Sequence, residues 1–210
     1  MSIYAISDLH LSYGVDKPMN VFGKVWQDYE KKIEKNWKET VKENDIVIIP
    51  GDISWGINLE EALPDFKFIN DLPGNKILMR GNHDYYFSTK TKLENFFKEN
   101  NLNSLSVLHN NAIDIQEYIL CGTRGWGNTE ISDKKLEKKI IERERLRLKM
   151  SLDEGLKIKK RFPQKDIIVA MHFPPFISNY TEILKQYNVK KCIYGHLHRL
   201  WTFYGKNRNN

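Results

Sequence analysis

Short apolar runs recur along the chain and are separated by turn residues. Such runs predict strands, because a brief continuous apolar stretch is typical of a strand buried on both faces. The predicted strands cover residues 3–7, 46–50, 76–80, 106–108, 119–122, 167–171 and 192–194. Weaker patterns predict two more strands, at residues 112–116 and 201–204.

Segments with helical spacing lie between several of these runs, and their apolar residues recur every three to four positions. The predicted helical stripes run from Trp26 to Val41, Leu59 to Phe66, Leu93 to Phe97, Leu136 to Leu156, and over residues 181–187. Ser88 or Thr89 is suited to cap the third helix, and Gly155 marks a break point in the fourth.

Strands that alternate with helices favour an α/β layered fold in which at least part of the sheet is parallel. The stretch 104–122 differs, since Asn110 and Asn111 separate two strand candidates and indicate a hairpin or meander. A chain of 210 residues fits one domain. We expect a single domain over residues 1–204 and a frayed tail over 205–210.

Composition narrows the class of protein. With 40% hydrophobic and 29% charged residues the chain is globular rather than disordered. It shows neither a secretory leader nor an apolar stretch near the ~18 residues of a membrane span, so we expect a cytoplasmic protein without a membrane partner. Cys121 and Cys192 lie in apolar runs and are expected to be reduced, buried thiols.

The net charge of +6 is concentrated in one segment. Residues 134–161 contain 12 Lys or Arg against 5 Asp or Glu, a balance of +7, so the rest of the chain is close to neutral. A segment this basic is able to attract nucleic acid. Its apolar stripe instead favours a helix with one packed face and a solvated basic face, so nucleic acid is not the favoured partner.

Polar clusters follow the strand candidates directly. They are Ser7-Asp8-Leu9-His10, Gly51-Asp52, Gly81-Asn82-His83-Asp84, His172, and Gly195-His196-Leu197-His198. The carboxyl ends of parallel strands meet at one edge of a sheet, where open α/β folds bind ligands. Within a cluster, an extended backbone would point Asp8 and His10 to the same side, and likewise His196 and His198.

The residue types indicate a metal site. Imidazole and carboxylate without thiolate suit Mn, Fe, Zn, Co or Ni, whereas Mg and Ca prefer oxygen alone. Of these metals, Mn or Fe is favoured. The candidate donors exceed the needs of one tetrahedral ion, and two ions that share a bridging carboxylate would use them all. Each residue also has an ordinary alternative: Asp8 in a turn, Asn82 as a helix cap, or His172 as a buried structural histidine.

The order of the clusters resembles the calcineurin-like metallophosphoesterase family. Its blocks D-x-H, G-D, G-N-H-[DE], H and G-H-x-H are matched in order between residues 8 and 198. The resemblance implies a two-sheet mixed β-sandwich flanked by helices, with metals at the strand ends. It further implies one ion on Asp8, His10, Asp52 and His198, and a second on Asp52, Asn82, His172 and His196. His83 would then be the catalytic residue that faces the substrate.

The resemblance also implies a reaction, namely hydrolysis of a small phosphorylated substrate, a phosphomonoester or phosphodiester, by a metal-bridging hydroxide. The protein-phosphatase form of the second block, G-D-x-x-D-R-G, is absent, since the chain has Asp52-Ile53-Ser54-Trp55-Gly56 there. A metal-dependent nuclease that uses residues 134–161 is the alternative. A non-catalytic interaction module is less favoured, because no ligand is lost.

Two further residues have weaker signals. Arg124 lies between glycines in residues 121–127, after a predicted strand. Its guanidinium group is suited to bind a substrate phosphate, although the segment also fits an ordinary glycine-rich surface turn. His109 stands at a strand-to-turn junction without a neighbouring cluster, and we expect a structural role for it.

Overall fold

The computed structural model describes residues 1–127 and 132–197, which form two four-stranded sheets. The first sheet contains β1 (Ile3–Ala5), β2 (Ile46–Ile49), β3 (Asn75–Leu78) and β4 (Leu105–Val107), all parallel and in that order. The second contains β5 (Ala112–Ile115), β6 (Tyr118–Thr123), β7 (Asp166–Met171) and β8 (Lys191–Tyr194). Here β5 pairs antiparallel with β6, whereas β6, β7 and β8 are parallel.

Helices cover the outer faces of both sheets. They are α1 (Tyr29–Thr40), α2 (Leu59–Asp71), α3 (Lys90–Glu99), α4 (Lys134–Arg161) and α5 (Tyr180–Gln186). The predicted α/β fold, a two-sheet mixed β-sandwich flanked by helices, is therefore confirmed, and the single antiparallel pair lies in the second sheet. The weak strand prediction at 201–204 and the tail at 205–210 lie outside the described residues.

Strands β2 and β7 explain why the sequence shows continuous apolar runs. In β2, Val47 and Ile49 pack with the helices of the first sheet, while Ile46 and Ile48 pack between the two sheets. In β7, Val169 faces α4 and α5, and the alternate residues face the same core between the sheets. A strand covered on both faces has no polar side, so its sequence does not alternate.

The segment 104–122 is divided between the two sheets. The prediction of a hairpin across Asn110 and Asn111 is wrong, because β4 pairs with β3 in the first sheet and β5 belongs to the second. The antiparallel pair in this segment is β5 with β6. The chain turns at Asn110, whose φ is 64°, a left-handed conformation that Asn tolerates better than most residues. Leu108, just before this turn, packs between the sheets.

The predicted start of α3 is correct, whereas the predicted break in α4 is not formed. Thr89 caps α3, and its side chain accepts a hydrogen bond from the Lys92 amide. Gly155, expected as a break point, lies inside an uninterrupted α4. A Cβ at position 155 would collide with Cys121 Sγ on β6. The glycine therefore allows α4 to approach the sheet closely.

Two other expectations concern cysteines and membranes. Cys121 and Cys192 are both free thiols, as expected, but only Cys121 is fully buried, whereas Cys192 is half-buried. None of the helices in the described ranges combines the length and the apolar character that crossing a membrane requires.

We predict that Gly155→Ala lowers the free energy of unfolding by about 1–3 kcal/mol, because the added methyl group overpacks the contact between α4 and β6. In a Cys121→Ala background the same change should cost less, since the opposing sulfur is gone. Urea denaturation of the four proteins in this double-mutant cycle measures the coupling. An equal cost in both backgrounds would show that the two residues do not pack together.

Candidate metal centre

Six predicted ligands come together at the carboxyl ends of the strands. Asp8 and His10 follow β1, Asp52 follows β2, Asn82 follows β3, His172 follows β7 and His196 follows β8. Ligand atoms of Asp8, His10 and Asp52 lie within 4.8 Å of one another, and so do those of Asp52, His172 and His196. Both groups share Asp52. The seventh predicted ligand, His198, lies outside the described residues.

Asp52 occupies the centre of this arrangement, with only 1% of its surface exposed. Its Oδ2 lies 3.8 Å from His10 Nε2 on one side and 3.4 Å from His172 Nε2 on the other. This buried oxygen accepts no hydrogen bond from any residue in the described ranges. A buried carboxylate oxygen usually has a partner, so its position between two imidazoles fits a carboxylate that bridges two cations.

His172 is held in one tautomer by the first sheet. Its Nδ1 donates to the carbonyl oxygen of Pro50 at 2.9 Å, which leaves the Nε2 lone pair free to bind a metal. Burial lowers the pKa of His172 to about 3, so the ring is neutral at physiological pH. Nε2 lies 2.6 Å from Asn82 Oδ1. Two acceptor atoms that face each other in this way are stabilised by a shared cation.

His10 is fixed by aromatic neighbours. Its ring is buried, stacks on Trp55 with 4.9 Å between ring centroids, and lies edge-on to Trp26 at 6.1 Å. The carbonyl oxygen of His10 accepts a hydrogen bond of 2.7 Å from the Tyr29 hydroxyl. His10 Nε2 is 4.0 Å from Asp8 Oδ1. The ring is therefore oriented towards the two carboxylates before any ion binds.

Asp8 and His196 connect the two sheets at the site. Asp8 Oδ2 accepts a hydrogen bond of 2.9 Å from the His196 amide, although the residues are 188 positions apart. His196 Nδ1 lies 3.1 Å from Asn82 Oδ1, and its ring packs on Phe173 at 4.2 Å. Asp8 and Asn82, which follow strands of the first sheet, thus help to position His196, which follows a strand of the second.

Four ligands have a left-handed backbone: φ is 59° at Asp8, 46° at His10, 52° at Asp52 and 69° at His196. The expectation that an extended backbone aligns Asp8 with His10 is therefore wrong, since β1 ends at Ala5. Tertiary hydrogen bonds hold the unusual conformation, from the Asp8 amide to Gly51 O and from the His10 amide to Asp52 O. Such conformations cost energy and persist only where surrounding contacts fix them.

Asp84 joins the two loops that carry Asp52 and Asn82. Its fully buried carboxylate accepts hydrogen bonds from the amides of Gly81 at 2.6 Å, Asp52 at 2.9 Å and Ile53 at 2.8 Å. In return, Asp52 Oδ1 accepts one of 2.8 Å from the His83 amide. The Asp84 carboxylate thus contacts the backbone of the loops, which is a structural role.

The buried carboxylates of Asp52 and Asp84 lie close enough to repel each other when both are ionised. Burial, followed by the charge of Asp84, raises the pKa of Asp52. Burial likewise raises the pKa of Asp84. Bound divalent cations would favour the ionised carboxylates and so relieve this repulsion.

His83 lies at the edge of the site and is partly exposed. Its ring centroid is 4.7 Å from that of Trp55 and 5.7 Å from that of His10. The Tyr85 hydroxyl is 3.5 Å from His83 Nδ1. The imidazole is therefore beside the ligand cluster without lying inside it, which suits a group that meets a substrate.

Arg124 and His109 do not join the ligand cluster. Arg124 follows β6, and its guanidinium lies 3.7 Å from Glu144 and 4.8 Å above the Trp126 ring. The His109 ring packs against Phe87 at 4.8 Å, and burial lowers its pKa to about 4. Its contacts agree with the structural role expected for His109.

The donor set fits two divalent ions, because it combines carboxylates, an amide oxygen and imidazoles around a shared carboxylate oxygen. Sequence reasoning missed the supporting contacts of Pro50 and Trp55. The only hint of the role of Trp55 is that this aromatic residue follows Asp52 by three positions. The Pro50 contact uses a backbone carbonyl, which every residue has, so the sequence cannot indicate it.

Comparison with known proteins places these features in a family. The family model for calcineurin-like phosphoesterases matches residues 1–200. One similar solved structure is a protein of unknown function from Aquifex aeolicus, with 18% identity, a TM-score of 0.44, and coverage of 92% of this chain and 89% of that chain. Another is a phosphopantetheinyl hydrolase from Mycobacterium tuberculosis, with 13% identity, a TM-score of 0.48, and coverage of 97% and 85%. No curated protein gives a significant match.

We predict that Asp52→Asn abolishes or weakens binding of both ions yet makes the metal-free protein more stable at pH 8. Because the pKa of Asp52 is raised in the folded protein, folding favours the protonated carboxyl group. The metal-free protein therefore loses stability as the pH rises above the unfolded pKa of about 4 and Asp52 ionises. Asparagine cannot ionise, so the variant does not lose this stability. Urea denaturation after EDTA treatment, from pH 4 to 8, and metal analysis by mass spectrometry test both effects.

The matched control for this experiment is Asp16→Asn, which changes an exposed carboxylate. It should leave the metal content unchanged, because Asp16 is not among the proposed ligands. Two equivalents of tightly bound metal in Asp52→Asn would contradict the bridging position.

Proposed function

The chain belongs to the calcineurin-like phosphoesterase family and is a metal-dependent phosphoesterase; we propose that it hydrolyses a small phosphomonoester or phosphodiester at the centre described above. The observation that carries the proposal is Asp52 Oδ2, which is buried, accepts no hydrogen bond from the described residues, and lies between His10 and His172. That geometry supports a two-metal centre, and two-metal centres catalyse displacement at phosphorus.

The proposed ligands fall into two sets that share Asp52. Asp8 and His10, with His198, would hold one ion. Asn82, His172 and His196 would hold the other. When bound, such a pair of divalent ions lowers the pKa of a water molecule and neutralises charge on the phosphoryl oxygens. We propose Mn or Fe as the metals, with Zn, Co and Ni as alternatives that fit the same donors.

His83 is the proposed general acid. Its ring is partly exposed beside the ligands, so its imidazole would donate a proton to the leaving oxygen of the substrate. Trp55 lies against both the His83 and His10 rings and restricts their movement. The Tyr85 hydroxyl near Nδ1 helps to orient the ring.

The proposed function is tested by reconstituting metal-stripped protein with Mn, Fe, Co, Ni or Zn. Each form is assayed with p-nitrophenyl phosphate, its bis-ester, cyclic nucleotides and oligonucleotides. We expect turnover of at least one small ester that depends on added metal. A folded protein that binds two equivalents of metal and cleaves none of these esters would contradict the proposal. Cleavage of oligonucleotides alone, weakened steeply by salt, would support a nuclease that uses the basic α4.

We predict that His83→Ala lowers kcat by roughly 10²–10⁴-fold while the metal content stays intact, because the imidazole assists the leaving group without binding an ion. Steady-state kinetics and metal analysis of the same preparation measure the two effects. The matched control is His109→Ala, which removes an imidazole outside the site and should keep most of the activity. Loss of metal in His83→Ala would show that the ring is a ligand.

A further inference from the structure

An arginine cluster surrounds one buried carboxylate near the metal centre. We define the cluster as Arg80, Arg124 and Arg147. The carboxylate is that of Glu144 on α4, which is fully buried. Arg147 Nη1 lies 2.7 Å from Glu144 Oε1, and both Arg124 Nη2 and Nε of the exposed Arg143 lie 3.7 Å from the same oxygen. Burial lowers the pKa of Arg80, and the charges of Asp84, Glu144 and Arg147 also act on it.

The arginine cluster lies at the same edge of the sheets as the metal ligands. Arg80 follows β3 and precedes Asn82 by two residues, and β3 is next to β2 in the first sheet. Arg124 follows β6, which is parallel to β7. The Arg124 carbonyl accepts hydrogen bonds from the amides of His172 and Phe173 at 3.1 and 3.0 Å. One flank of the metal centre is therefore cationic.

The charges of the arginine cluster are not balanced within it. Arg143 Nε also lies near Glu144, and Asp84 is a second acidic group that acts on Arg80. Four guanidinium groups therefore face two carboxyl groups among the described residues, which leaves an excess of at least two positive charges. Burial lowers the pKa of Arg124 to about 10, so this side chain remains cationic at neutral pH. The Nε atoms of Arg80 and Arg124 are buried, and neither donates a hydrogen bond to a residue in the described part of the chain. Unsatisfied buried donors of this kind are uncommon in folded proteins.

Neutralising Glu144 does not explain three arginines. Arg147 alone makes a close ion pair with this carboxylate, and Thr123 Oγ1 donates to its second oxygen at 2.9 Å. Arg124 and Arg80 add positive charge that Glu144 does not need, and Asp84 offsets only part of it. The Arg147 side chain is 31% exposed, so the arginine cluster also reaches solvent. A ligand from solution would supply the missing negative charge.

We propose that the arginine cluster binds a second phosphate group of the substrate, so that the enzyme prefers phosphoesters with two phosphates. This inference rests on the proposed function, because the first phosphate is the one hydrolysed at the metal centre. Guanidinium groups bind phosphate oxygens through paired, charge-assisted hydrogen bonds. Glu144 has a positioning role, since its ion pairs hold Arg124 and Arg147 in place.

The first test measures binding without metal. EDTA-treated protein is titrated with inorganic phosphate by calorimetry at constant ionic strength. We expect one equivalent to bind, and Arg124→Gln or Arg147→Gln to weaken this binding by roughly 10–100-fold. Lys149→Gln removes an exposed charge from the same helix and should change the affinity less than about twofold.

Several results of the titration would overturn the inference. The inference is overturned if phosphate does not bind. It is also overturned if Lys149→Gln weakens phosphate binding as much as the arginine variants do. Acetate that binds as tightly as phosphate would show a carboxylate site instead. If the glutamine variants fail to fold, Arg124→Lys and Arg147→Lys are used in their place, because lysine keeps the positive charge. These lysine variants should still weaken phosphate binding, because lysine lacks the paired donors.

The second test measures selectivity in the metal-loaded enzyme. We expect kcat/KM for adenosine 3′,5′-bisphosphate to exceed that for adenosine 5′-monophosphate at least about tenfold, with the ratio falling towards one in Arg124→Gln and Arg147→Gln. The ratio should persist in Lys149→Gln. No turnover of any phosphoester, with phosphate binding intact, would refute the proposed function and the substrate preference that depends on it, but not the phosphate site at the arginine cluster. Equal turnover of both nucleotides without phosphate binding would refute this inference alone.

Discussion

A carboxylate oxygen that accepts no hydrogen bond within the described part of the chain lies between two histidine rings where the two sheets meet, and the surrounding contacts hold it there. Asp52 is buried, and the neighbouring charge of Asp84 adds to the cost of ionising it. The Asp84 hydrogen bonds fix the backbone on which Asp52 stands. Pro50, which follows β2 of the first sheet, and His172, which follows β7 of the second, are joined by a hydrogen bond. The contacts that assemble the site are therefore also contacts that dock the two sheets.

The layered fold and the position of the site could be predicted because both follow from local sequence patterns. A run such as Ile46–Ile49 is apolar throughout, since both of its faces are buried. Polar residues placed directly after several such runs must gather at one edge when the strands are parallel. Neither step needs knowledge of which side chains touch, so Asp8 and His172 could be expected to lie near each other.

The remaining features depend on contacts between distant segments. The left-handed conformations of Asp8 and His10 are set by hydrogen bonds to residues 51 and 52 and by no motif of their own. The same is true of β4, which joins the first sheet although its neighbour in sequence, β5, starts the second. Gly155 gave a misleading signal, because a glycine that ends a helix and one that allows close packing look identical in sequence.

The left-handed backbone at Asp52 and His196 has a consequence for protein engineering. Asp, Asn and His tolerate this region better than most side chains, whereas β-branched residues are strongly disfavoured there. Redesign of the centre for another metal is thus restricted by backbone geometry before coordination chemistry is considered. Replacing Asp52 with threonine, for example, would strain the loop as well as remove the charge. Few metal-binding side chains other than Asp, Asn and His are compatible with the backbone at positions 52 and 196.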